Sequence, residues 1–108
     1  METEGRLSDA LEILWKKFQP QIEERVAVLE AANRALAEGA LTAEAREAAH
    51  AAAHKLAGIL GTFGLAEGTA LAREVEGMYG GDAALDEAAK RLSLIVAELG
   101  RLLSTRGS

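Results

Sequence analysis

Apolar side chains recur along this chain at steps of three and four rather than in alternation, so the pattern predicts helices. Breaks at Gln19-Pro20, Gly39-Ala40-Leu41, Gly64 and Gly80-Gly81 divide it into five helical segments. The first, about 7–18, carries Leu7, Leu11, Leu14, Trp15 and Phe18 on one face. It is expected to stop at Pro20, because the residue before a proline is pushed out of the helical region. Pro20 then opens the second segment, about 20–38, as a first-turn residue whose missing N–H costs nothing, and Ile22, Val26, Leu29, Asn33 and Leu36 follow on its face. Thr42 is expected to cap the third, about 42–63, with Glu44 and Glu47 near the positive end of its dipole. The fourth, about 65–79, shows Leu71, Val75 and Met78 and closes at Gly80-Gly81. Asp82 is expected to cap the fifth, about 82–103, whose stripe runs through Leu85, Ala89, Leu92, Val96, Leu99 and Leu103. Four long amphipathic helices joined by short loops predict an all-α, antiparallel up-and-down four-helix bundle, one domain over residues 1–108, with the short N-terminal helix as a lid.

Composition narrows the chemistry. Aromatic residues make up 4% of the 108 positions while hydrophobic residues reach 49%, the difference being largely alanine, a strong helix former that lets helices approach closely. Strand-favouring residues are too sparse for a sheet. With 12 Lys+Arg against 17 Asp+Glu the formal charge is −5, and the cations are scattered, so there is no basic stripe for a nucleic-acid backbone. The absence of cysteine excludes disulfides and cysteine-based metal sites. No run of about 18 apolar residues suggests a membrane span, and Met1-Glu2-Thr3-Glu4 does not resemble a secretion signal. A cytoplasmic protein without membrane contact is expected.

The third segment holds the candidate chemistry. Its core stripe is read as Ala45, Ala49, Ala52, Leu56, Ile59 and Phe63, which places Glu47, His50, His54, Gly58 and Gly61 on the opposite face. His54 therefore projects away from the core, with glycines four and seven positions beyond it. Each interior glycine costs a helix about 1 kcal/mol relative to alanine. Placed here, the glycines leave the imidazole in a clearing where another protein's surface fits. A neutral imidazole nitrogen is a nucleophile suited to carrying a phosphoryl group. The chain has no P-loop, no kinase glycine loop and no acidic cluster for Mg²⁺, so this reading makes it a carrier that does not take phosphate from ATP itself.

The stretch His54-Lys55-Leu56-Ala57-Gly58-Ile59-Leu60-Gly61-Thr62-Phe63-Gly64-Leu65 resembles the signature of histidine phosphotransfer (Hpt) domains, and Leu71-Ala72-Arg73-Glu74-Val75-Glu76 resembles the family's next helix. The resemblance implies that His54 is the phosphoacceptor, with Lys55, Gly58 and Gly61 supporting the phosphate and Glu47, His50, Ala57 and Gly64 on the face that docks a partner. It implies relay of phosphate between the aspartates of response-regulator receiver domains, with Mg²⁺ supplied by the receiver and no cofactor of the chain's own. A hybrid histidine kinase is a further partner it admits, and a monomer is expected. One position departs from the pattern. The family commonly has lysine three residues after the histidine, where this chain has Ala57 and a cation at Lys55 instead. The His-Lys-Leu-Ala-Gly variant is similar to Hpt domains joined to receiver proteins, and on that reading Ala57→Lys strengthens transfer or leaves it unchanged.

Other readings of the same residues stand beside this one. His54 and its face could serve a degenerate, non-phosphorylated docking or self-associating module. Gly58 and Gly61 could permit close helix packing, Gly64 could simply end the helix, and Lys55 and Arg73 could be solvated surface charges. His50 and His54 also have the i, i+4 spacing of zinc-binding helices, but the glutamate of that motif is alanine at position 51, so no metal is expected.

Overall fold

A computed structural model describes the backbone of residues 2–81 and 85–107, with side chains from 9 to 81 and from 85 to 105. Four helices follow one another: α1 (Glu2–Ala37), α2 (Ala43–Thr62), α3 (Ala66–Gly80) and α4 (Leu85–Gly107). Each packs on its neighbours in chain order and α4 returns to α1, while among the described residues the backbones of the diagonal pairs α1–α3 and α2–α4 stay more than 8 Å apart at their Cα atoms. That is the up-and-down bundle the pattern predicts. None of the described helices is long and apolar enough to cross a membrane.

The separate N-terminal helix is the element that does not form. Pro20 lies inside α1, which runs unbroken for 36 residues. An interior proline costs a helix about 3 kcal/mol, through the lost hydrogen bond and the ring's clash with the preceding turn. Packing on both sides of Pro20 offsets that cost. Trp15 is buried and meets Phe63, the residue that caps the C-terminus of α2, edge-on at 5.1 Å, Phe18 meets the same ring at 6.1 Å, and beyond the proline Ile22 and Leu29 are buried. Such aromatic pairs add about 0.5–1.5 kcal/mol each to what burial contributes. Pro20 itself is exposed, on the outer side of the helix. Nor does the N-terminal part act as a lid, since Leu11, Ile13 and Leu14 are all exposed. Asp82 and the side chain of Leu7 lie outside the described residues.

Leu29, Leu56, Leu60, Val75, Leu92, Ile95 and Leu99 are buried at the centre, each stabilising the fold by roughly 1.5–3 kcal/mol. Alanines and one glycine set how closely the helices approach around them. A β-carbon at Gly68 of α3 would fall 3.1 Å from Leu60 Cδ1, so a larger residue there would require the buried Leu60 side chain to shift. The polar pattern also reaches the interior. Asn33, placed on the core face of its helix by the sequence, is buried, donates from Nδ2 to Leu92 O at 3.1 Å and accepts from the Tyr79 hydroxyl. Three helices are tied together by this one side chain, with both ends of its amide satisfied.

Burial pushes the Tyr79 hydroxyl up to about 12, against a smaller opposing effect of the Arg46 charge. The raised value favours the neutral phenol in the folded protein, so its contribution is fully present below pH 10 and is lost as pH rises toward 12. Urea denaturation across that window is expected to show a loss of about 2 kcal/mol beyond the change in a Tyr79→Phe variant.

The turns follow the sequence closely. Thr42 caps α2 by accepting from Ala45 N at 3.0 Å. Gly39 and Gly64 have positive φ, 69° and 70°. At the end of α2, Leu65 N donates to Leu60 O and Gly64 N donates to Gly61 O, the paired bonds of a Schellman turn that only glycine enters without strain. Gly64→Ala is expected to cost about 1 kcal/mol in chemical denaturation, with the helical spectrum unchanged.

Candidate functional site

α2 lies between α1 and α3, and this widens its buried face. Besides Ala49, Ala52 and Leu56, the residues Ala53, Ala57 and Leu60 are buried, whereas Ala45, Ile59 and Phe63 are only partly covered. A single stripe read from spacing assumes one neighbour. With two neighbours the buried arc extends around the helix and takes in Ala57. At 3% exposure Ala57 is a core residue and not part of a docking face, which corrects that assignment.

Glu47, His54, Lys55, Gly58 and Gly61 are exposed, and His50 is half-buried. The His54 side chain is 71% accessible. An added β-carbon at Gly58 would meet nothing within 4 Å, and one at Gly61 only Thr69 Oγ1 at 3.8 Å. Neither glycine is therefore demanded by helix packing, and the clearing beside His54 is open surface. Gly64 is also exposed, but its positive φ gives it a role in the turn whether or not a partner touches it.

The residue that sequence reasoning missed is Glu76. From His54, α2 continues for eight residues to its end at Thr62, and α3 returns through ten residues from Ala66 to position 76. At 1.5 Å per residue these legs are about 12 and 15 Å, which brings the two positions level across the α2–α3 seam. His54 Nδ1 lies 2.8 Å from Glu76 Oε2. A carboxylate only accepts, so Nδ1 carries the proton and donates, and in the neutral ring Nε2 holds the free lone pair. The partly buried carboxylate thus selects the tautomer of an exposed imidazole. The resemblance of 71–76 to the family's next helix was the available signal, but a spacing of 22 residues follows only from the turn geometry.

His50 stands on the other side of the same carboxylate, its Nε2 4.0 Å from Glu76 Oε2. Its ring lies against the backbone of Gly80, where a β-carbon would come within 2.6 Å of His50 Cδ2. One turn earlier, Arg46 donates from Nε to Tyr79 O at 2.9 Å and from Nη2 to Gly81 O. These bonds satisfy carbonyls at the C-terminal end of α3, which has no basic residue of its own in its last turn. Arg73 is exposed on α3 and borders the same shallow surface as His50 and Glu76.

On its α1 side His54 opens onto a groove of about 400 Å³ floored by Phe18, Ile59 and Phe63 and edged by Arg25, Lys55 and Gly58. The structure therefore brings His54, Lys55 and Gly58 together and leaves Glu47 and His50 outside that groove. Among the described residues no group of three or more His, Asp or Glu side chains is arranged to hold a metal ion. Chemically the site is one accessible, tautomerically fixed imidazole with an acidic support on one side and cations on the other. Compared with known proteins, residues 13–105 match the Hpt domain family. No curated protein and no solved structure matches the chain.

Proposed function

Because the chain belongs to the Hpt domain family, a family of phosphotransfer modules in two-component signalling, we propose that His54 is its phosphoacceptor and passes the phosphoryl group between receiver-domain aspartates. The observation that carries this reading is the Nδ1 to Glu76 hydrogen bond at an otherwise exposed ring, which leaves Nε2 as the nucleophile. The Nε2 lone pair forms the N–P bond as the P–O bond of the aspartyl phosphate breaks, and the aspartate departs as carboxylate. The ring keeps its proton on Nδ1 and gains a positive charge, which the Glu76 carboxylate faces directly. The reverse step returns the group to a second receiver.

In this reading the chain is a phosphocarrier and not an autonomous enzyme. Mg²⁺ and the groups that activate the aspartyl phosphate belong to the receiver, and a hybrid histidine kinase is a further partner. The module works as a monomer in the cytoplasm, docking transiently through a surface of modest area.

Radiolabel transfer from a panel of phosphorylated receiver domains tests it, with wild type, His54→Gln and His50→Gln compared. Acid-labile, base-stable label that disappears only in His54→Gln is the expected result. Absence of label from folded wild type, with the panel active on a control carrier, contradicts it and leaves a docking module.

A further inference from the structure

A phosphoryl group on His54 brings a dianion to a surface from which the family's usual lysine is missing, since position 57 is a buried alanine. The groove beside the ring shows where compensating charge lies. Its lining includes Arg25 from α1 and Lys55 from α2, together with Gln21 and Thr62, and contains no acidic side chain. In a chain of net charge −5 that is a distinct local reversal. The grooves between α1 and α4 both include Glu30, and the surface on the other side of His54 includes Glu76. Among the described residues, the surface on the Arg25 side of the imidazole is lined without a carboxylate, and the one on the α3 side is not.

Arg25 carries a second sign. Its Nε is buried and donates to no acceptor among the described residues, although buried donors are nearly always paired. Thr62 at the edge of the same groove donates its hydroxyl hydrogen to Gly58 O at 3.0 Å. Gly58 leaves the space between α1 and the ring unfilled. An anion carried on Nε2 into that space would meet guanidinium donors in a fixed, planar arrangement suited to phosphate oxygens, and the Lys55 ammonium as a point charge.

We infer that Arg25, with Lys55, forms the phosphoryl-binding subsite of this domain, so that a residue of α1 takes over the charge neutralisation that a cation three positions after the histidine would otherwise supply. This rests on His54 being the phosphoacceptor. Glu76 then faces the positive ring and Arg25 the negative phosphoryl oxygens, from opposite sides of the same side chain.

The test uses the whole chain, phosphorylated both by a receiver domain and by phosphoramidate, which transfers its phosphoryl group to an imidazole nitrogen with loss of ammonia and needs no docking. With wild type, Arg25→Gln, Arg25→Lys and Lys55→Gln, the labelled fraction at equilibrium and the phosphohistidine lifetime are measured. Arg25→Gln is expected to lower the labelled fraction about tenfold with either donor, as loss of a charge-assisted hydrogen bond requires, and Arg25→Lys to recover part of it. In the wild type, the Arg25 Nε–H resonance is expected to shift downfield on phosphorylation, a readout that does not depend on any variant folding. Wild type that labels normally while Arg25→Gln matches it and the Nε–H resonance stays in place overturns the subsite and leaves the carrier reading intact. Wild type that takes no label from either donor overturns both.

Discussion

Ala57→Lys is expected to destabilise the bundle by about 3 kcal/mol and to reduce phosphotransfer only through the loss of folded protein. Four methylenes and an ammonium would have to enter a position that is 3% exposed, between helices already spaced by alanine and glycine. Overpacking alone costs roughly 1–3 kcal/mol, and withdrawing an ammonium from water adds to it, less whatever the flexible stem recovers by reaching solvent. The family resemblance implies the opposite, that a lysine here strengthens the site or does nothing. Urea denaturation decides between them. A variant as stable as wild type, with higher transfer, would show that position 57 is surface and that the α2–α3 seam is wider than described.

Glu76→Gln is the second large effect, of about tenfold or more in the rate and extent of transfer with stability little changed. The amide can still occupy the same place, but it offers a donor as well as an acceptor and no negative charge. The imidazole is then no longer confined to the tautomer with Nε2 free, and the positive charge that develops on the ring when the N–P bond forms loses its counterion. Glu76→Asp, one methylene shorter, is expected to fall between the two. The readout is the single-turnover rate from a phosphorylated receiver, with thermal denaturation as the control. Equal rates for wild type and Glu76→Gln would mean that the hydrogen bond to Nδ1 does not matter for transfer.

Local rules read well from the sequence where the structure is local. Thr42 caps α2, Gly39 and Gly64 turn the chain, and the stripe from Leu85 to Leu103 faces the core, because capping, positive φ and helical period act within a few residues. The readings that changed depend on contacts distant in sequence. The spacing predicts that Pro20 ends a helix, and it does not, because Trp15 and Phe18 pack on Phe63 at the far end of α2. The family resemblance places Ala57 on the docking surface, and a single core stripe gives no reason to bury it, whereas α2 has two neighbours and does. His54 was legible as exposed and flanked by small residues, but its partner was not, since Glu76 reaches it only through the turn that pairs α2 with α3. Asn33 and Tyr79 form a buried pair for the same reason.

The central claim is that Nδ1 of His54 is held protonated by Glu76, so that Nε2 takes the phosphoryl group. Nitrogen-15 and phosphorus-31 NMR of the phosphorylated wild-type chain reports both atoms at once, through the ring nitrogen shifts and the coupling between phosphorus and nitrogen. Phosphorus bonded to Nε2 of His54, with a slowly exchanging proton on Nδ1, is the result predicted. Phosphorus on Nδ1 of His54, or on either nitrogen of His50, would contradict it.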